Sequence, residues 1–487
     1  MNINKFPPSR ENYHKYLLAL ILIAGFILRF YNAPNRFGFD FDASRDGLTA
    51  TQIAQTLNFP LLGSLSSATS LSSGPWYYYF LAIFEGISPL YGSWIMIGVF
   101  NLIFIALIYK IGEILEDKKF GLILATLVAF SPSQITLSNT LSNPSPIPVF
   151  ASLAIIFFLV AVKKKKLYSI FLVGFLVGLG INIHYEMVGF IIFPVLILLF
   201  LGNRIRSLAL LTLGFFLPFI PMIVYDLKNN WINFKSALIF LTSSHNDYYI
   251  PNRWLFYLRD FWPTLWANTL GVPLIPALLI IASVIFLIIL LAYKRLIKRE
   301  FLFIIIAFVV DVVQLRYFPQ DRRIYYLYYL YPFIFIFSGF LVYKMYHIKK
   351  LFPFAIFLFA LIILFMLKND RIKLHSDANH KLVVSYEQVL LEKFSNISYN
   401  IYSCKENVDK GMGLTYLLNK KGKSKIDGKK IGFGSKNCGD KNSFKKIDDI
   451  YLYELNGSDS NLANMDWFSI SEKSMEEIKN MQLYRSY

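Results

Sequence analysis

Charged residues are scarce in this chain. Asp, Glu, Lys and Arg make up only 16% of its 487 residues, against about 25% in ordinary soluble domains, while 55% are hydrophobic and 17% aromatic. This composition excludes a chain made only of soluble domains and favours a protein embedded in lipid.

Cysteine is also nearly absent, since Cys404 and Cys438 are the only two. No C-x-x-C, H-E-x-x-H or other zinc-ligand spacing occurs, which argues against a zinc domain. Both cysteines lie close to the C-terminus. If that part of the chain is extracytoplasmic, they can form a disulfide. Two free thiols are the other interpretation, and the sequence leaves both open.

The charge that is present is unevenly distributed. Residues 1–370 hold 46 charged residues, whereas the last 117 residues hold 34. The composition therefore predicts a membrane domain over 1–369 and a small soluble domain over 370–487. The turn-rich sequence of the second part, with GMG at 411–413, is typical of a small α/β or β-rich domain.

Long apolar runs dominate the membrane domain. A helix needs roughly 17–25 mostly apolar residues to cross a bilayer. The segments that fit are 16–31, 93–112, 119–138, 147–162, 167–183, 187–202, 207–225, 270–292, 300–315, 324–345 and 351–367. They predict an all-α polytopic membrane protein with eleven transmembrane helices.

A further apolar run, 76–88, is only 13 residues long and contains Glu85. If it does not cross, the loops on the same side of the membrane as the N-terminus hold 19 Lys and Arg, and all other regions up to residue 370 hold 11. If it crosses, the most basic loops, 163–166 and 294–299, move to the outer side. Because cytoplasmic loops are rich in Lys and Arg, we predict that 76–88 lies in the outer interface, with its aromatic rings among the headgroups.

The same charge bias orients the chain in a cell membrane. It predicts a cytoplasmic N-terminus and an extracytoplasmic domain over 370–487. Most of the net charge of +18 then marks the inner side of the membrane. The basic residues therefore indicate contact with membrane lipids and not with nucleic acid.

The first long outer loop, residues 32–92 and here called loop one, carries the densest group of charged residues. Within seven residues, directly after the first predicted span, it holds Asp40, Asp42, Arg45 and Asp46. The apolar spacing that follows predicts a helix from Ala43, with Asp42 as its N-cap. Capping of a surface helix is one interpretation of Asp42. Three carboxylates beside the membrane, followed by a Ser- and Gly-rich stretch over 63–74, favour a functional site.

The second long outer loop, residues 226–269, is rich in aromatic residues. They are Trp231, Phe234, Tyr248, Tyr249, Trp254, Tyr257, Trp262 and Trp266. Anchoring of further interfacial helix is the simpler interpretation. The same rings are also suited to stacking on sugars or to lining a lipid chain.

Several motifs, taken in order and with their side of the membrane, resemble the glycosyltransferase C superfamily. They are D-x-x-R-D at 42–46, G-P-W-Y-Y-Y at 74–79, F-S-P at 130–132, N-P at 143–144, H-Y at 184–185 and a Tyr-rich run ending in Y-P at 331–332. The sequence is most similar to the family 39-like branch, with protein O-mannosyltransferases, aminoarabinose transferases and Rgt-type transferases. The resemblance covers about residues 15–350.

This resemblance implies a glycosyltransferase that moves a sugar from a polyprenyl-phosphate carrier on the outer face. Asp42 matches the essential carboxylate of the family's first loop, and Arg45 matches the arginine that follows. Asp46 takes a position that is aromatic in many members, and Asp40 joins the same pocket. A carboxylate near the acceptor hydroxyl is suited to act as general base, so Asp42 is the predicted catalytic residue.

The sequence departs from the family at the carrier phosphate. Aminoarabinose transferases have a lysine where this chain has Gly74. The best replacements are Arg316, Arg322 and Arg323, which are basic residues on the predicted outer side. Salt bridges from these arginines to Asp321 or to Asp311 are the alternative. Asp311 lies inside a predicted span, where an acidic residue usually has a partner or a function.

A second departure concerns metal. The loop at 138–148 lacks the acidic pair that oligosaccharyltransferases use there, so metal-independent transfer is predicted, although Asp40 and Asp42 remain able to share an ion. His184, Tyr185 and Glu186 add a candidate polar contact to donor or acceptor. A hydrogen bond at headgroup level is the simpler role for His184.

The leading hypothesis is therefore an inverting transferase whose partners are a polyprenyl-phosphate sugar and a hydroxyl acceptor on a protein, a lipid or a cell-wall polymer. The alternative is a transporter or flippase for lipid-linked sugars. Against it, no pair of Gly- or Pro-broken spans recurs in two halves of the chain. A scaffold that only presents the C-terminal domain is disfavoured by the length and charge of loop one.

Overall fold

The computed structural model describes residues 13–65, 71–201, 204–242, 252–317, 324–369, 379–395, 397–404, 408–425, 427–434, 443–447, 450–455 and 467–470. Most of these residues are helical. The first helices are α1 (Tyr13–Phe30), α2 (Ala33–Arg36), α3 (Phe41–Thr56), α4 (Trp76–Ile87), α5 (Gly92–Leu115), α6 (Lys118–Phe130), α7 (Pro132–Leu137), α8 (Ile147–Lys164) and α9 (Leu167–Ile183).

The second half of the membrane domain continues this helical pattern. Its α-helices are α10 (Ile192–Phe200), α11 (Arg204–Phe216), α12 (Ile220–Lys228), α13 (Ile232–Thr242), α14 (Arg253–Phe256), α15 (Trp262–Leu270), α16 (Leu274–Tyr293), α17 (Arg299–Tyr317), α18 (Tyr331–Tyr346) and α19 (Phe352–Lys368). Short 3-10 helices cover Tyr185–Ile191, Leu217–Phe219 and Ile324–Leu330, and a π-helix covers Tyr257–Phe261.

The predicted all-α polytopic membrane architecture is confirmed, and each predicted span contains a helix. Among the described residues, six helical stretches have the length and apolar composition needed to cross a membrane. These are Tyr13–Phe30, Gly92–Leu115, Ile147–Lys164, Arg204–Lys228, Leu274–Tyr293 and Ile324–Tyr346. Eleven crossings therefore remain a prediction, because the other helices are shorter or interrupted or, in the case of α17, carry several charged residues.

One interruption has a clear chemical cause. The predicted span 119–138 divides into α6 and α7, because Pro132 has no N–H to donate to the carbonyl of Val128. Arg29 of α1 takes over this role. Its guanidinium donates to the carbonyl oxygens of Val128 and Ala129 at 3.0 and 2.9 Å, and to Asn101 Oδ1 at 2.6 Å. Arg29 is only 1% exposed, so it joins three helices inside the bundle.

Loop one contains the predicted short helix over 76–88, observed as α4. Its outward face carries Ile83 and Ile87, which are 60% and 76% exposed. Two of its aromatic residues differ from the prediction, because Tyr77 and Tyr78 are buried in the protein and do not face the headgroups. Helix α4 packs against α3 on this side, and the Tyr78 hydroxyl donates a hydrogen bond to Asp46 of α3.

The C-terminal domain is an α/β domain. It consists of α20 (His380–Lys393), β1 (Tyr399–Cys404), α21 (Val408–Lys420), β2 (Lys429–Gly434), β3 (Ser443–Ile447), β4 (Ile450–Glu454) and β5 (Trp467–Ser469). The strand order is β3-β4-β2-β1-β5. Strands β1 and β2 run parallel with α21 as their crossover, and the other pairs are antiparallel. Cys438 and the side chain of Cys404 lie outside the described residues, so a disulfide between them stays a prediction.

This domain packs on loop one. Gly38 forms an antiparallel bridge with Asn379, and Tyr91 Oη lies 2.7 Å from His380 Nε2. Helix α21 packs against α3. The domain 370–487 and the charged cluster of loop one are therefore on the same face of the helical bundle.

We predict that Arg29→Met lowers the thermal unfolding temperature of the detergent-solubilised protein. The substitution leaves two buried carbonyl groups without their donor, at a cost of about 1–3 kcal/mol for each. Thermal unfolding followed by intrinsic fluorescence measures the effect. Lys15→Met, at an exposed position on the same helix, is the control. Equal unfolding temperatures for the two variants would contradict the role given to Arg29.

Candidate active site

The charged cluster of loop one is organised by the first turn of α3. This helix begins at Phe41, two residues earlier than predicted, and Asp40 is its N-cap, with Oδ1 accepting from the Ala43 N–H at 2.8 Å. The prediction that Asp42 caps the helix is therefore wrong. Because Asp40 caps the helix, the Asp42 carboxylate lies in the first helical turn and is not used for capping.

Arg45 holds two carboxylates together. Its Nη1 lies 2.7 Å from Asp42 Oδ1, and its Nη2 and Nε lie 2.9 and 3.1 Å from Asp46 Oδ1. Asp46 also accepts a hydrogen bond of 2.9 Å from Tyr78 Oη on α4. The guanidinium therefore joins two carboxylates of α3, and the Tyr78–Asp46 hydrogen bond links α3 to α4.

The two acids of this network differ sharply in exposure. The side chain of Asp46 is 4% exposed, whereas that of Asp42 is 72% exposed. Burial raises the pKa of Asp46, and Arg45 and Tyr78 only partly oppose this shift. Asp46 is thus a structural member of the network, and Asp42 is the carboxylate that a ligand can reach.

Tyr77 adds a buried donor beside the network. It is 2% exposed, and its hydroxyl has no hydrogen-bond partner among the described residues. Burial, followed by the nearby charge of Asp46, raises its pKa well above the usual value. Tyr77 therefore stays protonated at neutral pH. No sequence pattern separates Tyr77 and Tyr78 from the membrane-facing aromatics, because the direction of a ring depends on tertiary packing.

A second group of polar residues lies where α9 ends. His184 Nδ1 contacts Glu186 Oε2, and both side chains are nearly buried, at 11% and 12% exposed. They line a crevice together with tyrosines of the 3-10 helix Ile324–Leu330, and the His184 and Tyr326 rings are 5.8 Å apart. Two motifs that are distant in sequence, at 184–185 and in the Tyr-rich run, therefore meet here.

This crevice adjoins the segment of loop one that precedes α4. Tyr185 Oη donates a hydrogen bond to the carbonyl oxygen of Ser72, and the Gly74 N–H donates to the carbonyl of Asn182 at 2.7 Å. A Cβ atom at Gly74 would overlap the Asn182 side chain. The position where aminoarabinose transferases have a lysine therefore has no space for one here, which explains this departure from the family.

Asp311 lies deep in α17 and is fully buried. Its carboxylate packs against Gly189, and neither oxygen has a hydrogen-bond partner within the described part of the chain. The structure thus shows no salt bridge to Asp311 from any described residue. Arg322 and Arg323 lie outside the described residues, as does the side chain of Arg316, so the predicted phosphate site stays a prediction.

One further pair was missed by sequence reasoning. Glu85 of α4 pairs with Lys420 of α21 at 2.6 Å, and the two side chains are 1% and 9% exposed. Glu85 was noticeable in the sequence as a lone acid in an apolar helix. Nothing in the sequence identified its partner, which lies 335 positions away.

Solved structures share this architecture. The apo structure of ArnT from Cupriavidus metallidurans aligns with a TM-score of 0.60 and 8% identity, covering 91% of this chain and 97% of that chain. The same protein bound to undecaprenyl phosphate aligns at 0.54 with 12% identity, covering 85% and 76%. The oligosaccharyltransferase AglB from Archaeoglobus fulgidus, in complex with an inhibitory peptide and a dolichol-phosphate, aligns at 0.51 with 11% identity, covering 88% and 70%. The chain is therefore a multi-pass membrane protein with the glycosyltransferase C fold.

Sequence comparison gives a more specific similarity for one part of the chain. Residues 72–225 match the family described as dolichyl-phosphate-mannose-protein mannosyltransferase. Comparison with curated proteins finds no match. The matched segment begins inside loop one, before α4, and extends through α9 into α12, and it includes His184 and Glu186. The resemblance inferred from the motifs is thereby confirmed.

We predict that the two acids of the Arg45 network respond differently to removal. Asp46→Ala leaves the largely buried guanidinium without its main partner and should destabilise the fold by about 3 kcal/mol. Asp42→Ala removes an exposed ion pair and should change stability by less than about 1 kcal/mol. Thermal unfolding of both variants in one detergent tests the difference. An equal loss of stability would show that Asp42 is also structural.

Proposed function

We propose that this chain is a membrane glycosyltransferase that moves a sugar from a polyprenyl-phosphate donor to a hydroxyl group on the extracytoplasmic face. The observation that carries the proposal is Asp42. It is an exposed carboxylate held in place by the largely buried Arg45, at the start of loop one, in a chain with the glycosyltransferase C fold. Relatives of this fold were solved with undecaprenyl phosphate and dolichol-phosphate, which supports a lipid-linked donor.

In the proposed reaction, Asp42 is the general base. The acceptor oxygen forms a bond to the anomeric carbon, Asp42 takes the hydroxyl proton, and the bond from the anomeric carbon to the phosphate oxygen breaks. The lipid phosphate leaves with its negative charge, so nearby cations lower the barrier. A single displacement inverts the anomeric configuration.

The orientation is part of the same proposal. The domain 370–487 packs on the face that carries loop one, and the basic loops that lie between later helices mark the opposite face as cytoplasmic. In this proposed orientation, Asp42 lies at the outer surface of the cell membrane. There it can meet an acceptor on a protein, a lipid or a cell-wall polymer.

We further propose that transfer requires no divalent metal. The loop at 138–148 lacks acidic residues. Of the two loop-one acids that could share an ion, Asp40 already accepts the backbone N–H of Ala43, and Asp42 pairs with Arg45. These two carboxylates therefore suit proton transfer by Asp42 better than the binding of a metal ion.

We expect Asp42→Asn to reduce transfer by about 10²–10⁴-fold, because the amide cannot accept the acceptor's proton. Membranes containing the variant are supplied with a labelled polyprenyl-phosphate sugar, and labelled product is counted. The matched control is Asp260→Asn, which breaks an exposed Asp–Arg pair in the second outer loop. Full transfer by correctly inserted Asp42→Asn protein would end the base assignment.

The alternative function, transport of lipid-linked sugars, predicts a different result in a liposome assay. If labelled carrier crosses the bilayer of liposomes containing the native protein, and no glycosylated product forms with any acceptor, the chain is a transporter for lipid-linked sugars. Product formation without carrier translocation supports the transferase.

For the donor phosphate, we propose that Arg322 and Arg323 form the contact, with Arg316 close by in the sequence. The double variant Arg322→Gln/Arg323→Gln should raise the half-saturating donor concentration about tenfold or more, because charge-assisted hydrogen bonds to phosphate are lost. Transfer rates measured over a donor concentration series test this. Lys350→Gln, at an exposed position on the predicted inner side, is the control. An unchanged half-saturating concentration would place the phosphate elsewhere.

A further inference from the structure

We propose that the C-terminal domain holds the loop-one helix α3 in its working position, and that the buried Lys420–Glu85 ion pair is the main link. Lys420 is thus a positioning residue for the candidate site, acting through α3 and α4. The inference rests on loop one being the functional site. It does not depend on the reaction that the site carries out.

Glu85 is the centre of this link. Its Oε1 accepts the N–H and the hydroxyl of Ser93 at 2.9 and 2.7 Å, and its Oε2 faces Lys420 Nζ at 2.6 Å. Thr51 of α3 contacts both charged groups through its hydroxyl oxygen. One carboxylate therefore connects α3, α4, the first turn of α5 and α21.

The burial of this pair makes the connection necessary. A carboxylate that is 1% exposed is stable as an anion only when its charge is paired and hydrogen-bonded. The C-terminal domain supplies the cation, since Lys420 is the residue that pairs with Glu85. Burial lowers the pKa of Lys420, and the contact with Glu85 opposes that shift. Separation of the domain from loop one would leave Glu85 and Lys420 without their partners.

A second contact places the domain directly beside the acidic turn. Phe39 is fully buried, with its ring 4.5 Å from Trp94 and 5.7 Å from Tyr416 of α21. A Cβ atom at Gly413 would lie only 2.9 Å from the Phe39 carbonyl oxygen. The next residue in the chain is the N-cap, Asp40. The backbone that leads into the cluster is therefore held between α5 and the C-terminal domain.

The same helix of the C-terminal domain covers one side of α3. A Cβ atom at Gly47 would lie 3.0 Å from Tyr416 Cε2, and Thr51, one turn further on, reaches Lys420. Asp42, at the beginning of α3, remains exposed. The domain thus supports α3 while leaving the reactive carboxylate open to a ligand.

The test compares hydrogen–deuterium exchange of the full-length protein in detergent for the native chain and Lys420→Gln. We expect amide protection in 41–56 and 76–87 to fall about tenfold or more, because the buried Glu85 loses its partner. Protection of β1 and β2 should stay native. Lys421→Gln is the matched control, since Lys421 is 54% exposed and pairs with Glu387 inside the C-terminal domain.

Rescue distinguishes positioning from simple loss of structure. In the double variant Glu85→Gln/Lys420→Gln, neither group is a stranded charge, so protection of 41–56 should return towards the native value. Native protection of 41–56 in Lys420→Gln would overturn the proposal. Loss of protection in β1 and β2 would also overturn it, because Lys420 would then stabilise its own domain.

Transfer activity gives a separate result. If the chain transfers sugars, Lys420→Gln should lower the turnover rate with little change in the half-saturating donor concentration, whereas Lys421→Gln should leave both unchanged. Absence of transfer in the native protein would contradict the proposed function, and the exchange result would still decide the role of Lys420.

Discussion

Arg45 shares its guanidinium between Asp42 and Asp46, and the candidate site depends on this arrangement. Asp46 pairs with the inner side of the guanidinium and accepts a hydrogen bond from Tyr78, so the largely buried cation is held in place. The remaining donor then holds Asp42 at the surface. Arginine is suited to this role because its planar group presents several donors in fixed directions. A rigid cation thus keeps one acid structural and leaves the other available for chemistry.

The helical bundle provides the support for this network. Inside a membrane every backbone polar group needs a partner within the protein. Arg29 meets this requirement where Pro132 interrupts the helix, and its contacts bring α1 and α6 together. Loop one begins directly after α1. The orientation of loop one therefore depends on how that first helix is held. On the opposite side, loop one contacts the C-terminal domain through Lys420.

Much of this could be predicted from the sequence, because hydropathy and charge act locally. The apolar runs correctly located the helices, and the clustered acids indicated loop one. The exact role of each acid could not be predicted. The helical pattern from Ala43 predicts Asp42 as the N-cap, whereas the helix begins two residues earlier and uses Asp40. The absence of a lysine at Gly74 was visible, but its cause, the packing of Asn182, was not.

The sequence by itself determined that this is a helical membrane protein with an acidic first loop and a polar C-terminal domain. Span length and charge bias are properties of short segments, so both can be recognised without knowledge of the fold. Only the tertiary structure decided which carboxylate is exposed, that Tyr78 faces Asp46, and that Glu85 pairs with Lys420. Exposure and pairing are set by contacts between separate segments, which are 32 positions apart for Tyr78 and Asp46 and 335 for Glu85 and Lys420, and no local pattern predicts which segments will meet.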